Sequence, residues 1–369
     1  MFMVMFYWSM VVGWEDKRTL KLMGKKIEAK DLRCKKRQPL EKIIPLQAPF
    51  VVYIEPTNLC NIKCAFCPTS DKQLLEKVGR PAGNMPFELF CKIVDELKEF
   101  NTEIKLVSLY KDGEPLVNSN FSEMVRYLSQ SGITKRIWTK TNGVLLRPEL
   151  NDRLSDSGLT WIGISVVGVS AEGYLKGAGV KIDYDQYVAN IADLYRKRGN
   201  CELYIKIADS GLSPEEINKF YHDFADICDY CAVEKLMGWS NSGVKDFTLG
   251  TNPDTYDGLP LTDKEICAYP FYVMAFNADG SVSLCGNDWS HQTVVGNAAN
   301  EHVIAIWNGE RMYEFRRMML ERRRHENAAC GNCYYLKIVP DNIDPYAEEI
   351  LCRLQETRSH NRSREISIQ

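Results

Sequence analysis

Between residue 49 and about residue 240 the chain alternates short β-rich apolar runs with longer segments whose apolar residues recur every three or four positions. Phe50-Val51-Val52-Tyr53-Ile54 predicts a first strand, because β-branched and aromatic side chains fit a pleated surface. Residues 86–100 place Phe90, Ile93, Val94 and Leu97 on one helical face. A strand over 104–109, a helix around 121–128 and strands at 137–139 and 161–166 continue the alternation. Residues 185–197 repeat Val188, Ile191 and Leu194 on one face, with Gly199 at the C-cap, and 202–207 give the next strand. Ser213-Pro214-Glu215-Glu216 is a helix start, with Ser as cap, Pro in the first turn and Glu three residues after the cap. Ile217, Phe220, Phe224 and Ile227 then face inward, and 232–236 makes a sixth strand. Six strands alternating with helices imply a parallel sheet, since parallel neighbours need crossovers. Periodicity alone leaves a doubly wound sheet and a partly closed barrel both open.

After residue 240 the texture changes to Gly-, Asn- and Asp-rich loops with short strands and a second group of cysteines. The pattern predicts an N-terminal segment over 1–48, a core over 49–245, a small second domain over 246–352 and a charged, flexible tail over 353–369. A chain of 369 residues has room for this division, since a domain takes ~100–200 residues. With 46 Lys and Arg against 49 Asp and Glu, the net charge of −3 argues against nucleic acid as a partner. The first fourteen residues, MFMVMFYWSMVVGW, are apolar but fall short of the ~20 that span a bilayer. They lack a preceding basic stretch and a small-residue cleavage site, so they read as a segment docked on the fold or a misassigned start. A cytoplasmic protein without a membrane span is the expectation. Thirteen cysteines, clustered in a long chain without a signal peptide, point to metal or redox work rather than disulfides.

Cys60, Cys64 and Cys67 form C-x3-C-x2-C in the loop after the first strand. A structural zinc site takes four closed ligands. A [4Fe–4S] cluster held by three thiolates leaves one iron open. Three buried structural thiols are the plainer alternative. With the aromatic Phe66 before the last cysteine, the triplet resembles the signature of the radical S-adenosylmethionine (SAM) superfamily. That resemblance implies an open iron chelating the amino and carboxylate groups of SAM, and a reduced cluster that cleaves the sulfonium to a 5′-deoxyadenosyl radical. Asp112-Gly113-Glu114-Pro115 resembles the family's GGEP motif, whose backbone and Glu hold the SAM amino group; Asp112 stands in place of the first Gly. Gly is required where backbone approaches a ligand closely. Thr141-Asn142-Gly143 and Ser165 resemble positions that contact the ribose and methionine moieties, and Lys206 is a further candidate for the SAM carboxylate. These residues fall at C-terminal strand ends, where barrel-type α/β proteins place their chemistry. The resemblance implies an α/β fold with a partial (β/α)6 TIM-type barrel.

Cys267, Cys285, Cys330 and Cys333 form a complete ligand set for zinc or for a fully ligated [4Fe–4S] cluster, and spacing alone does not choose. Residues 276–285 read as a hairpin turning on Asp279-Gly280. The region resembles a twitch domain, the shortened form of the iron–sulfur SPASM domain. Its cysteine spacing resembles that of the radical SAM dehydrogenases acting on 2-deoxy-scyllo-inosamine. One auxiliary [4Fe–4S] cluster is implied, with Cys352 left as a free thiol. Asp288, three residues from Cys285, is a candidate general base, with a turn-forming Asp as the alternative. Cys91, Cys201, Cys228 and Cys231 read as core residues. Arg316, Arg317, Arg322, Arg323 and Arg324 read as a solvated helix face with Phe315 and Met319 inward, or else as a contact for an anionic substrate. The five His show no zinc spacing.

The expected activity is radical SAM oxidoreductase chemistry, with dehydrogenation of a hydroxyl- or amine-bearing carbon of a sugar, aminocyclitol or related small metabolite favoured. The auxiliary cluster would accept the second electron, and flavodoxin or ferredoxin would serve as reductant. Within the family, a peptide maturase or epimerase is the alternative, although 48 residues before the core are few for a leader-peptide reader. A non-catalytic zinc-binding interaction protein is the alternative of another class.

Overall fold

In the computed structural model, which describes residues 38–241, 243–249, 263–337, 339 and 341–368, strands form where alternating burial coincides with β-branched side chains. They are β1 (Val51–Ile54), β2 (Leu106–Ser108), β3 (Ile137–Thr141), β4 (Trp161–Val166), β5 (Glu202–Ala208) and β6 (Tyr230–Glu234). The crossovers are α1 (Phe87–Lys98), α2 (Phe121–Ser131), α3 (Pro148–Ser155), the pair α4 (Ala171–Ala178) and α5 (Tyr184–Lys197), and α6 (Pro214–Phe224). The Ser213 cap is formed in both directions: its hydroxyl accepts from the Glu216 N–H (3.2 Å), and the Glu216 carboxylate accepts from the Ser213 N–H (2.8 Å). All six strands are parallel and lie in sequence order, giving a partial (β/α)6 barrel. The sixth strand starts two residues earlier than the apolar pattern predicts.

The two faces of this sheet differ in chemistry. Val52, Ile54, Val107, Leu109, Ile164 and Ile205 point toward the helices and pack with Phe90, Ile93, Leu128, Ile191 and Phe224, all at or near zero exposure. Each such side chain contributes about 1.5–3 kcal/mol of burial. The opposite, inward face begins with an aromatic floor in which Trp138, Trp161, Tyr204 and Tyr230 stand in a row at centroid separations of 4.9, 5.9 and 5.2 Å. The Trp161 indole N–H donates to the Tyr230 hydroxyl (2.7 Å), so the floor buries a polar atom with its partner.

The second domain extends this sheet. β7 (Val273–Phe276) lies parallel to β1, with Val51 opposite Val273 and Ile54 opposite Phe276. β8 (Ser281–Ser283) returns antiparallel through a turn in which Gly280 has φ +86°, and β9 (Val294–Asn297) follows as the outermost strand. One nine-stranded sheet therefore crosses the boundary expected near residue 245. α7 (Val303–Asn308) and α8 (Glu310–Leu320) come next.

Residues 353–368 continue α9 (Ala347–Ile368), whose Ala347, Ile350 and Leu354 pack against Leu40, Ile44, Ile266, Phe271 and Met319. One expectation needs correction. The arginines do not share one solvated face: Arg316 is buried over the Trp307 ring (4.2 Å) and donates to the Pro270 carbonyl (2.9 Å). Arg317, Arg322 and Arg323 do pair with surface carboxylates. Cys228 and Cys231 lie in the helix-side core as expected, with Cys201 beside them. The N-terminal apolar run falls outside the described residues. Among those described, no helix is long and apolar enough to cross a membrane.

Candidate functional site

Cys60, Cys64 and Cys67 occupy the loop leaving β1, each half-buried. The Cys67 N–H donates to the Cys64 carbonyl (3.2 Å), and the Ser70 hydroxyl donates to the Cys67 carbonyl (2.7 Å), closing the loop into a turn. The half-buried Phe66 is held through its carbonyl, which accepts from the Trp239 indole N–H (3.2 Å). Gly113 presses directly on the approach to this loop. Its φ is +78°, and a Cβ there would stand 2.7 Å from Thr57 O, Asn58 C and Leu59 O. Only glycine satisfies both conditions. The next residue, Glu114, donates its N–H to the Leu59 carbonyl (2.8 Å), and Pro115 opens a short turn over Pro115–Val117.

The Glu114 carboxylate joins the ends of β2 and β3. It accepts from the Thr141 hydroxyl (2.6 Å), the Asn142 N–H (2.6 Å) and the Leu116 N–H (3.1 Å). Burial raises its pKa to about 7, and these three donors pull against that rise. The Asn142 amide donates to Asn61 Oδ1 (2.8 Å) and stands 4.0 Å from Cys60 Sγ. The structure thus brings together the cysteine loop, Gly113-Glu114-Pro115 and Thr141-Asn142. Ser165 and Lys206 lie opposite each other in register on β4 and β5. Lys206 is already ion-paired with Glu234 on β6 (2.6 Å).

Cys267, Cys285 and the Cys330–Cys333 turn come from three places in the second domain. Burial raises all four thiol pKa values, that of Cys267 to about 12, and each of these thiols lies close enough to others of the set for electrostatic coupling. The Cys60, Cys64 and Cys67 thiols couple similarly, with Cys60 raised to about 11. The guanidinium of Arg324 opposes this rise at Cys267, Cys330 and Cys333, and it donates to the Cys330 and Gly331 carbonyls. Cys352 is exposed on α9. Among the described residues no three His, Cys, Asp or Glu side chains close on one point as a single-ion site requires. The fit to iron–sulfur clusters rests on donor chemistry: soft thiols in sets of three and four, neutral while buried, that release their protons to metal.

Asp288 is almost fully buried, and its carboxylate is spent on its own loop. It accepts from the Ser290 hydroxyl, the Gln292 N–H, and both the N–H and hydroxyl of Thr293 (2.7 Å each). Four donors fill the carboxylate's acceptor sites, as a turn-forming Asp would have them. Around it lies a charged cluster that composition and spacing did not reveal. Asp112 Oδ2 stands 2.6 Å from Lys111 Nζ and 3.7 Å from Arg80 Nη1, while Glu55 Oε1 is 3.8 Å from Arg80 Nη2. Glu55 also accepts from the Asp112 and Ala278 N–H groups. Lys111 and Arg80 reach across to the Asp288 and Trp289 carbonyls (2.9 and 3.4 Å). Two cations and two carboxylates, all with side chains at 0–2% exposure, therefore pin the loop that follows Cys285 to the barrel. The one sequence signal was the Asp in place of the motif's first Gly.

Comparison with known proteins agrees with this arrangement. Residues 54–224 match the radical SAM superfamily, and residues 267–334 match SPASM, an iron-sulfur cluster-binding domain. The S-adenosyl-L-methionine-dependent 2-deoxy-scyllo-inosamine dehydrogenase of Niallia circulans is 22% identical over 285 residues, covering 77% of this chain and 92% of its own length. The mycofactocin maturase MftC of Mycobacterium tuberculosis is 30% identical over 258 residues, 68% of this chain and 58% of the maturase. The AdoMet-dependent heme synthase of Methanosarcina barkeri is 27% identical over 174 residues, 47% of this chain and 46% of the synthase. This chain thus spans less than two thirds of the maturase and under half of the synthase. Streptococcus suis SuiB bound to precursor peptide SuiA shares the fold at a TM-score of 0.58 and 15% identity, covering 82% of this chain and 73% of SuiB. The radical SAM domain implies a [4Fe–4S] cluster and SAM, and the SPASM domain auxiliary iron–sulfur binding. The chain thus joins a radical SAM domain, over the barrel, to a SPASM domain on the edge of the same sheet.

Proposed function

We propose that the enzyme dehydrogenates a hydroxyl- or amine-bearing carbon of a small polar metabolite such as a sugar or aminocyclitol. Cys60, Cys64 and Cys67 hold the SAM-binding cluster; Cys267, Cys285, Cys330 and Cys333 hold one auxiliary [4Fe–4S] cluster. When bound, clusters and SAM supply a hydrogen-abstracting radical and a destination for the second electron. The chain's own residues do the rest. Gly113, Glu114, Thr141 and Asn142 shape the SAM pocket beside Cys60, with Phe66, Pro115 and Ser165 at its margins, and Glu114 offers the carboxylate for the amino group. Lys206, paired with Glu234, borders the pocket as a second-rank contact for the SAM carboxylate. Asp288, saturated by its own loop, is poorly placed to take the substrate's second proton; Glu234 is the carboxylate on the inward face, held there by Lys206 and Tyr204.

The observation that carries this reading is the single sheet from which the loops bearing Cys60, Cys64, Cys67 and Cys285 leave. β7 lies against β1, and Gly286, next to Cys285, packs on the inward-facing ring of Tyr53, where a Cβ would meet it at 3.1 Å. An auxiliary cluster there borders the face on which the substrate would sit. The dehydrogenase relative, aligned over 92% of its length, supports the small-metabolite class. The maturase relative supports peptide modification as the second reading. A one-electron donor such as flavodoxin or ferredoxin would serve in the cytoplasm. Anaerobic metal analysis should give about eight irons and no zinc. Incubation with SAM, reductant and candidate metabolites should yield 5′-deoxyadenosine and a product lighter by two hydrogens. Zinc in the second set, or a peptide as the molecule that loses hydrogen, would overturn the proposal.

A further inference from the structure

Above its aromatic floor the inward face carries three charged side chains: Lys140 on β3, Lys206 on β5 and Glu234 on β6. Glu234 is engaged on both oxygens, by Lys206 Nζ (2.6 Å) and by the Tyr204 hydroxyl (2.6 Å). Lys206 is thereby neutralised. Lys140 is not: among the described residues no carboxylate stands within ion-pair distance, and its ammonium lies 5.1 Å from the centre of the Tyr110 ring. The sequence makes room for this lysine. A Cβ on Gly163, its neighbour in register, would meet the Lys140 stem at 3.3 Å and the Trp161 ring at 2.5 Å.

Lys140 keeps contact with solvent although protein surrounds it, and so do Tyr53, Tyr110 and Ser165 on the same face. The helix side of the same strands is closed. The inward face is therefore a reachable polar surface with one unbalanced positive charge. Burial and the like charge of Lys206 lower the Lys140 pKa to about 8 against the pull of the more distant Glu234 carboxylate, the condition that a closer anion relieves. This spot is also close to the auxiliary cysteines. Tyr53 and Tyr110 touch edge to face at 5.8 Å, Gly286 packs on Tyr53, and Tyr335, two residues after Cys333, couples to Tyr110.

We propose that Lys140 anchors an anionic group of the substrate, a carboxylate or a phosphate, with Tyr110 and Tyr53 lining the side that faces the auxiliary cysteines. This rests on the reading that the inward face holds the substrate. An ammonium is a point-charge binder suited to either group.

The test uses the reconstituted enzyme saturated with SAM, titrated calorimetrically with inorganic phosphate, with acetate and with glycerol as the neutral control. The wild type should bind at least one anion and not glycerol. Lys140→Met should weaken that binding at least about tenfold, the loss of one charge-assisted contact. Lys140→Arg should retain it, and SAM affinity should be unchanged in both variants. Tighter binding of phosphate would assign a phosphorylated substrate, and tighter binding of acetate a carboxylate. No anion binding, binding undiminished in Lys140→Met, or a loss of SAM affinity that hands Lys140 to the SAM carboxylate would each overturn the proposal. Anion titration needs no turnover, so failure of the dehydrogenase reading would show separately, as 5′-deoxyadenosine formed without oxidised product.

Discussion

Replacing Asp112 with Gly, the residue the family motif has there, should destabilise this protein. Asp112 is one of two carboxylates that balance Lys111 and Arg80 in a site nearly sealed from solvent. Removing it leaves a net positive charge buried, with Lys111 retaining only the Asp288 carbonyl at 2.9 Å. Breaking a buried pair in this way costs roughly 3–5 kcal/mol. Spread over an unfolding entropy of about 2.1 cal/mol/K per residue, that is a fall in melting temperature of about 5 °C for a chain of this length. The assay is thermal unfolding of the metal-free protein by circular dichroism, with Asp112→Asn measured beside Asp112→Gly. The double variant Lys111→Met/Asp112→Ala removes a charge of each sign and leaves the Arg80–Glu55 pair, so it should recover most of the loss. A melting point unchanged within about 1 °C for Asp112→Gly, or a double variant worse than the single, would refute the reasoning. The seam also holds the loop after Cys285, so Asp112→Gly should load the second cysteine set less completely with iron than the first.

Three further outcomes follow from the site. Cys60→Ala, Cys64→Ala and Cys67→Ala should each abolish SAM cleavage, whereas Cys267→Ala or Cys330→Ala should retain cleavage, lose about four irons and form no oxidised product, as chromatography and iron assay would show; cleavage by a variant lacking the first set would sink the assignment. Gly113→Ala drives a Cβ to 2.7 Å from three backbone atoms at φ +78°, so the loop before Cys60 must move, at a cost of about 2 kcal/mol or more in stability and with weakened SAM binding by equilibrium titration. The folded-state pKa of Glu114 is raised from 4.5 to about 7, so its neutral form favours the fold. That contribution is complete below about pH 4.5 and is lost as pH rises through about 7, roughly 3 kcal/mol in all. Urea midpoints of the metal-free protein should show the decline in wild type and a flatter profile in Glu114→Gln; parallel profiles would contradict it.

Local pattern was enough to find most of the barrel. Strand 161–166 and the helix capped by Ser213 obey rules that act over a few residues, and the structure places them as expected. The cysteine sets were legible because thiols at those spacings have few other uses. What escaped was set by distance in sequence. Nothing in Val273–Phe276 announces that it will pair with a strand more than two hundred residues earlier. Arg80 and Lys111 look like ordinary surface cations until the fold brings Glu55 and Asp112 against them. Arg316 reads as solvated because a charge on an amphipathic helix usually is, and only tertiary packing supplies the Trp307 ring and the Pro270 carbonyl. Lys140 drew no notice because alternation marks which face a residue takes, not whether its charge is matched there.

The parallel pairing of β1 with β7 bears on how the polypeptide matures on the ribosome. β1 precedes β7 by more than two hundred residues, and until β7 emerges it offers a bare row of amides and carbonyls on one side. A nascent barrel stays open at that edge while more than two hundred further residues are made, an interval of tens of seconds at roughly 5–20 residues per second. Cluster insertion into the Cys60 loop, directly after β1, therefore meets an unfinished edge if it occurs during synthesis. The second domain in this sense also covers the barrel's first edge, and a chain cut before it would present a sticky edge rather than a smaller enzyme.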